Sequence, residues 1–158
     1  MLIPKILVTA LVATATIAFI QPAFGDTTAQ AVSPWLTNLD AAKAQAKSQN
    51  KPIYLLFTGT EWCPWCMKME KEVYAKPAFW TSFQDKFVFV KIDIGRKQTD
   101  EQSHLMDAYG VMGVPTALIL NADGQEVGRL GYPSGPMGDK KTALDIHSKE
   151  LSDFLIRK

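Results

Sequence analysis

The two cysteines of this chain stand three residues apart, in Trp62-Cys63-Pro64-Trp65-Cys66, and their surroundings constrain the local fold closely. Upstream, residues 53–57 form a continuous apolar run, short enough for a strand buried on both faces. Thr58-Gly59-Thr60 reads as a turn. Downstream, residues 64–74 follow a helical pattern, with Trp65, Met69 and Val73 recurring at i, i+4 and i+8. Pro64 falls just inside the helix start, where a missing N–H costs nothing. The segment thus predicts strand, turn and helix, with the cysteines at the helix N-terminus. Two thiols so spaced can close a disulfide with little backbone movement. The free N–H groups of a helix start favour a thiolate, which is the nucleophile of disulfide exchange.

A bridge across so short a loop removes little chain entropy, so reversible redox chemistry explains the pair better than stapling does. Two cysteines cannot make a Cys₄ zinc site. Cys63, Cys66, Met67 and Met69 offer the soft sulfur that suits Cu(I), and non-catalytic copper binding is the alternative to redox catalysis. Met69, however, shares a helix face with Trp65 and Val73, a pattern that reads as core. We assign no metal site and no cofactor. His104 and His147 lie far from the motif in sequence, and no phosphate loop, nucleophile elbow or paired-carboxylate signature stands out.

The N-terminus carries a different message. Lys5 is the only charge before Asp26, and residues 6–20 are apolar or small. Ala23-Phe24-Gly25 then gives a small-x-small cleavage site. Residues 1–25 read as a signal peptide cleaved near Gly25, the apolar stretch being shorter than the ~20 residues of a spanning helix. Residues 26–36 read as a flexible leader and residues 37–158 as one domain. The whole chain has 17 Lys and Arg against 16 Asp and Glu. That balance leaves no basic stripe for nucleic acid or an anionic membrane. Export would place the cysteines in the periplasm, where disulfides persist.

The rest of the chain alternates helix and strand signals. Residues 38–50 predict a helix, capped through Thr37 and Asp40 and ended by Lys51-Pro52. Residues 78–83 predict a short helix, 87–93 a strand and 100–109 a helix. Residues 115–120 and 125–130 predict a hairpin about the turn 121–124, residues 131–138 a loop, and 140–156 a closing amphipathic helix. The order α-β-α-α-β-α-β-β-α implies an α/β fold whose mixed central sheet is flanked by helices.

Three separated segments carry a family resemblance. They are the run Phe57 to Cys66, the strand segment Val90-Lys91-Ile92-Asp93, and Tyr109-Gly110-Val111-Met112-Gly113-Val114-Pro115-Thr116. Together, in this order, they resemble the thioredoxin fold family, and the run through Met69 resembles exported, DsbH-like periplasmic thiol reductases. The resemblance implies a protein-disulfide reductase with Cys63 as the exposed attacking thiol and Cys66 as the buried resolving thiol. It implies a cis Pro115 facing the cysteines, with the Val114 backbone offered to substrate. Trp62, Pro64 and Trp65 would complete the substrate-binding set. Implied partners are disulfides of exported proteins or peptides and a membrane electron donor of the DsbD type. A disulfide oxidase or isomerase of the same fold is the alternative within the family. An isomerase usually carries a second module for dimerisation, for which this chain has no room, so a monomer is expected. One departure stands out. Many thioredoxins carry a buried acid six residues before the first cysteine, but here that residue is Phe57, and the matching Lys91 loses its customary partner. Lys91 must turn to solvent or pair with another acid, such as Glu61, and Cys66 must lose its proton to solvent or Glu61.

Overall fold

The computed structural model describes residues 34–134 and 141–157; the expected signal peptide, most of the leader and residues 135–138 of the expected loop lie outside them. Four strands form one sheet in the order β2-β1-β3-β4: β1 Ile53–Thr58, β2 Val88–Asp93, β3 Thr116–Leu120 and β4 Glu126–Leu130. β1 pairs in parallel with β2 and antiparallel with β3, and β3 and β4 form the hairpin. Helices α1 (Leu39–Gln49), α2 (Pro64–Met69), α3 (Pro77–Phe83), α4 (Asp100–Ala108) and α5 (Ala143–Ile156) supply the flanking layers. The mixed sheet and the element order are as the sequence implies.

β1 is central, and all six of its residues are buried. Alternation along it divides the core in two. Ile53, Leu55 and Phe57 meet Leu39, Ala42 and Ala46 of α1 and Met106 of α4 on one face. Tyr54 and Leu56 meet Met69, Val73, Phe79, Phe83 and Leu151 on the other. The apolar run has no polar alternation because both faces of this strand are covered.

Several local expectations are corrected. Asn38, not Thr37, caps α1, its side chain accepting from the Ala41 N–H at 2.8 Å. Asn50 ends α1 in the left-handed region at φ 51°, which Asn tolerates. The cysteine helix continues beyond α2 as a π-helical turn, Glu70–Tyr74, which simple helical periodicity does not anticipate. Trp35 and Leu36, read as the end of a flexible leader, belong to the fold. Leu36 donates to Phe89 O and accepts from Lys91 N, both at 2.8 Å, extending the sheet edge by one bridge. Trp35 packs against Tyr54, Tyr74, Trp80 and Phe89.

Candidate active site

Cys63 is the N-cap of α2 and is joined to Cys66 as a disulfide, with Cα atoms 5.2 Å apart. The Cys66 N–H points at Cys63 Sγ, 3.1 Å away. In the reduced protein that donor, with the helix dipole behind it, would stabilise a Cys63 thiolate. Pro64 occupies the first turn, as expected from its missing N–H.

The approach to the cysteines is built by the ends of β1 and β2. Thr60 donates through its N–H (3.0 Å) and its hydroxyl to the Asp93 carboxylate. Trp62 Nε1 donates to Ile94 O at 2.7 Å, and the Cys63 N–H donates to Gly59 O at 3.0 Å. A Cβ at Gly59 would come within 2.7 Å of the Trp62 ring, so the missing side chain is what lets the indole lie there. The loop is thereby held at both ends before the helix begins.

The distant segment arrives from the start of β3. The Val114–Pro115 peptide bond is cis, and the Val114 carbonyl oxygen lies 3.6 Å from Cys63 Sγ. Cys63 is buried as closely as Cys66, at 4% and 2% exposure. The expected contrast between an exposed and a buried cysteine is therefore absent in the disulfide form, in which Cys63 Sγ lies against the Cys66 N–H and the Val114 carbonyl. Trp62, Trp65 and Met67 are exposed beside the cysteines, and Met112, in the loop leading to Val114, is 99% exposed. Met112 was missed by sequence reasoning, although an apolar residue inside the Gly-Val-Met-Gly-Val-Pro segment was the available signal.

Trp65 does not share the core face of Met69 and Val73, contrary to the i, i+4, i+8 reading; the buried residues of α2 are Cys66 and Met69. Its ring leans instead on Tyr132, with centroids 5.0 Å apart. Met69 is fully enclosed in the core, while Met67 is exposed, so the two thioethers do not converge as the copper alternative requires.

Lys91 finds an acid, but not Glu61. Its Nζ lies 3.1 Å from Glu70 Oε2 and 5.0 Å from the Trp35 ring centroid. The strand register explains why Phe57 is irrelevant to it. Lys91 sits opposite Leu56 and faces the α2 side, whereas Phe57 sits opposite Ile92 and faces α1. Glu61 is exposed in the turn before Trp62, with no bonded partner among the described residues.

A strand–turn–helix bearing a paired cysteine disulfide, met by a cis-proline loop on a mixed sheet, defines a thioredoxin-type redox domain. The chain belongs to the thioredoxin-like domain family, matched over residues 39–141. Among relatives, it is 32% identical over 100 residues to the disulfide bond reductase DsbH of Chlamydia pneumoniae, covering 60% of each chain. It is 33% identical over 91 residues to the thiol:disulfide interchange protein DsbD of Klebsiella pneumoniae, covering 58% of this chain but only 14% of that one. A solved structure of a DsbH oxidoreductase superposes with a TM-score of 0.61 at 28% identity, over 75% of this chain and 81% of that one.

Proposed function

We propose that the protein is an exported thiol–disulfide oxidoreductase that reduces disulfides of other exported proteins. The observation that carries this is the Cys63–Cys66 disulfide at a helix N-terminus, beside the Val114 carbonyl, with Trp62, Trp65 and Met67 exposed next to the cysteines in sequence and Met112 exposed two residues before Val114. Four apolar side chains left in solvent on the segments that carry the redox pair and Val114 suit a site that docks polypeptide.

In this reading the reduced Cys63 thiolate attacks one sulfur of a substrate disulfide. A mixed disulfide forms, and the displaced substrate thiolate takes up a proton. Cys66, deprotonated by solvent or Glu61, then attacks Cys63 Sγ. The second substrate thiolate leaves and is protonated, and the protein ends as the disulfide seen here. Two electrons pass from protein to substrate. The Val114 backbone and Pro115 present the extended substrate chain, while Trp62, Pro64 and Trp65 form the rim. Lys91, engaged by Glu70, holds the helix rather than moving a proton.

The reducing direction draws support from the likeness to a relative named as a disulfide bond reductase, and from Pro-Trp between the cysteines, which puts no histidine there. Recycling by a membrane donor of the DsbD type, periplasmic location and a monomeric state complete the proposal. Reduction of insulin by the dithiol form tests the activity, and the pair's reduction potential tests the direction. A value near about −270 mV supports a reductant, and one near about −120 mV overturns that direction in favour of an oxidase. A Glu61→Gln variant with an unchanged pH–rate profile would assign the Cys66 proton to solvent alone.

A further inference from the structure

The helix that carries the cysteines has a second exposed side, and it is not part of the cis-proline surface. Between this side, the segment after β4 and the start of α5 runs a groove of about 690 Å³. Its walls include Trp65, Lys68, Glu72, Lys76, Tyr132 and Leu144. That size falls within the roughly 300–1,000 Å³ of ordinary ligand clefts. The groove at the other end of the sheet, lined by Pro52, Asn121 and Val127, lies at the start of β1, away from the cysteines.

The groove near the cysteines has an ordered wall. Trp65 and Tyr132 lean on one another, and Lys68 Nζ sits 5.2 Å from the centroid of each ring. The Tyr132 hydroxyl donates to Glu72 at 2.5 Å. Each side chain is thus held by its neighbour, which lowers the entropy lost when a partner settles on it. Even so, Trp65 keeps 56% of its surface exposed. Lys76 is exposed as well, and neither its ammonium nor that of Lys68 has a carboxylate within 4.0 Å among the described residues. Glu72 accepts from Tyr132 and is the one carboxylate among the described lining residues, which also include Lys68, Lys76 and Lys141, so the balance is cationic. The surface therefore offers an aromatic floor with ammonium groups along it.

Trp65 links this surface to the chemistry. It stands between Cys63 and Cys66 in sequence and also lines the groove, so the groove reaches the helix turn that carries the two cysteines. Resting on the oxidoreductase reading, we propose that the groove is an exosite for an acidic, apolar-bearing segment of the disulfide-containing polypeptide. Apolar side chains would lie on Trp65, Tyr132 and Leu144, and flanking carboxylates would meet Lys68 and Lys76. The groove would then select substrates by sequence near the disulfide, while the cis-proline loop holds backbone.

Two synthetic peptides test this, each with one disulfide flanked by a leucine and three charged residues, glutamates in one and lysines in the other. The full chain is reduced, freed of reductant and mixed with each peptide, and second-order rate constants are read from tryptophan fluorescence. The acidic peptide should react about tenfold faster at low salt, as expected for a few exposed charge pairs. At 1 M salt the ratio should fall towards one, because the Debye length shrinks to about 3 Å. Lys76→Glu should reduce the ratio and Lys68→Glu/Lys76→Glu should invert it. Any effect of Lys68 on the Cys63 thiolate acts on both peptides alike and cancels in the ratio. Equal rates in the wild type, or a wild-type ratio in the double variant, overturn the exosite while insulin reduction still upholds the activity. Failure to reduce either peptide and insulin overturns the oxidoreductase reading and the exosite with it.

Discussion

Cys63 and Cys66 differ less in exposure than in surroundings. Cys63 caps a helix, receives the Cys66 N–H and touches the Val114 carbonyl; Cys66 lies on the core face beside Met69. In the proposed mechanism this difference gives Cys63 the attacking role and Cys66 the resolving one. Cys63→Ser should abolish disulfide reduction, and Cys66→Ser should accumulate mixed disulfides on Cys63, visible as thiol-sensitive adducts on non-reducing gels. Full turnover by either variant would sink the mechanism. Gly59 is the other decisive residue, because its hydrogen takes the place where a methyl would strike the Trp62 ring. Gly59→Ala should break the Trp62–Ile94 hydrogen bond and cost about 1–3 kcal/mol, measured by denaturant unfolding, with an altered tryptophan emission. The sequence displays the cysteines, the tryptophans and Pro115 openly, since each lies in a short segment with its own local signature. It does not display Lys91's partner. Glu70 reaches Lys91 only because the strand register turns position 91 towards the cysteine helix.

At the scale of elements, α5, β1 and the π turn are tied by one buried polar chain. Tyr54 Oη lies 2.7 Å from both Tyr74 Oη and His147 Nε2. His147 is fully buried among aromatic rings, its Nδ1 without a hydrogen bond among the described residues and 3.7 Å from Glu150 Oε2. Tyr54 is the shared member, so Tyr54→Phe should strand two buried groups and cost about 1–3 kcal/mol in chemical unfolding. Burial pushes both phenols well above the usual tyrosine range. In the unfolded chain they ionise near about pH 10. The stability due to keeping them neutral is therefore complete below that pH and is lost as pH rises above it, where the unfolded chain sheds protons the folded one keeps. Melting temperatures measured upward from about pH 8 should fall beyond about pH 10, and less steeply in Tyr54→Phe. A flat profile in the wild type would contradict this. His147 reads from the sequence as one polar residue on an amphipathic helix. Only the packing of α5 over β1 shows it to be internal.

At the scale of the molecule, the sheet brings three distant segments to one end: the turn after β1, the last residues of β2 and the cis-proline loop before β3. The proposed export adds a processing step upstream of this domain. Expressed with its own N-terminus in a bacterium, the protein should be recovered from the periplasmic fraction with Asp26 as its first residue by mass spectrometry. Recovery from the cytoplasm with residues 1–25 attached would overturn the export proposal. The sequence by itself determined the strand–turn–helix around the cysteines, the order of elements and the family, because these rest on local periodicity, turn chemistry and short motifs. The tertiary structure alone decided which face several individual side chains use. It docked Trp35 and Leu36 onto the sheet, buried His147, turned Lys91 to Glu70 and Trp65 away from the core towards Tyr132. Those outcomes depend on strand register and on contacts between residues far apart in the chain, to which local patterns carry no address.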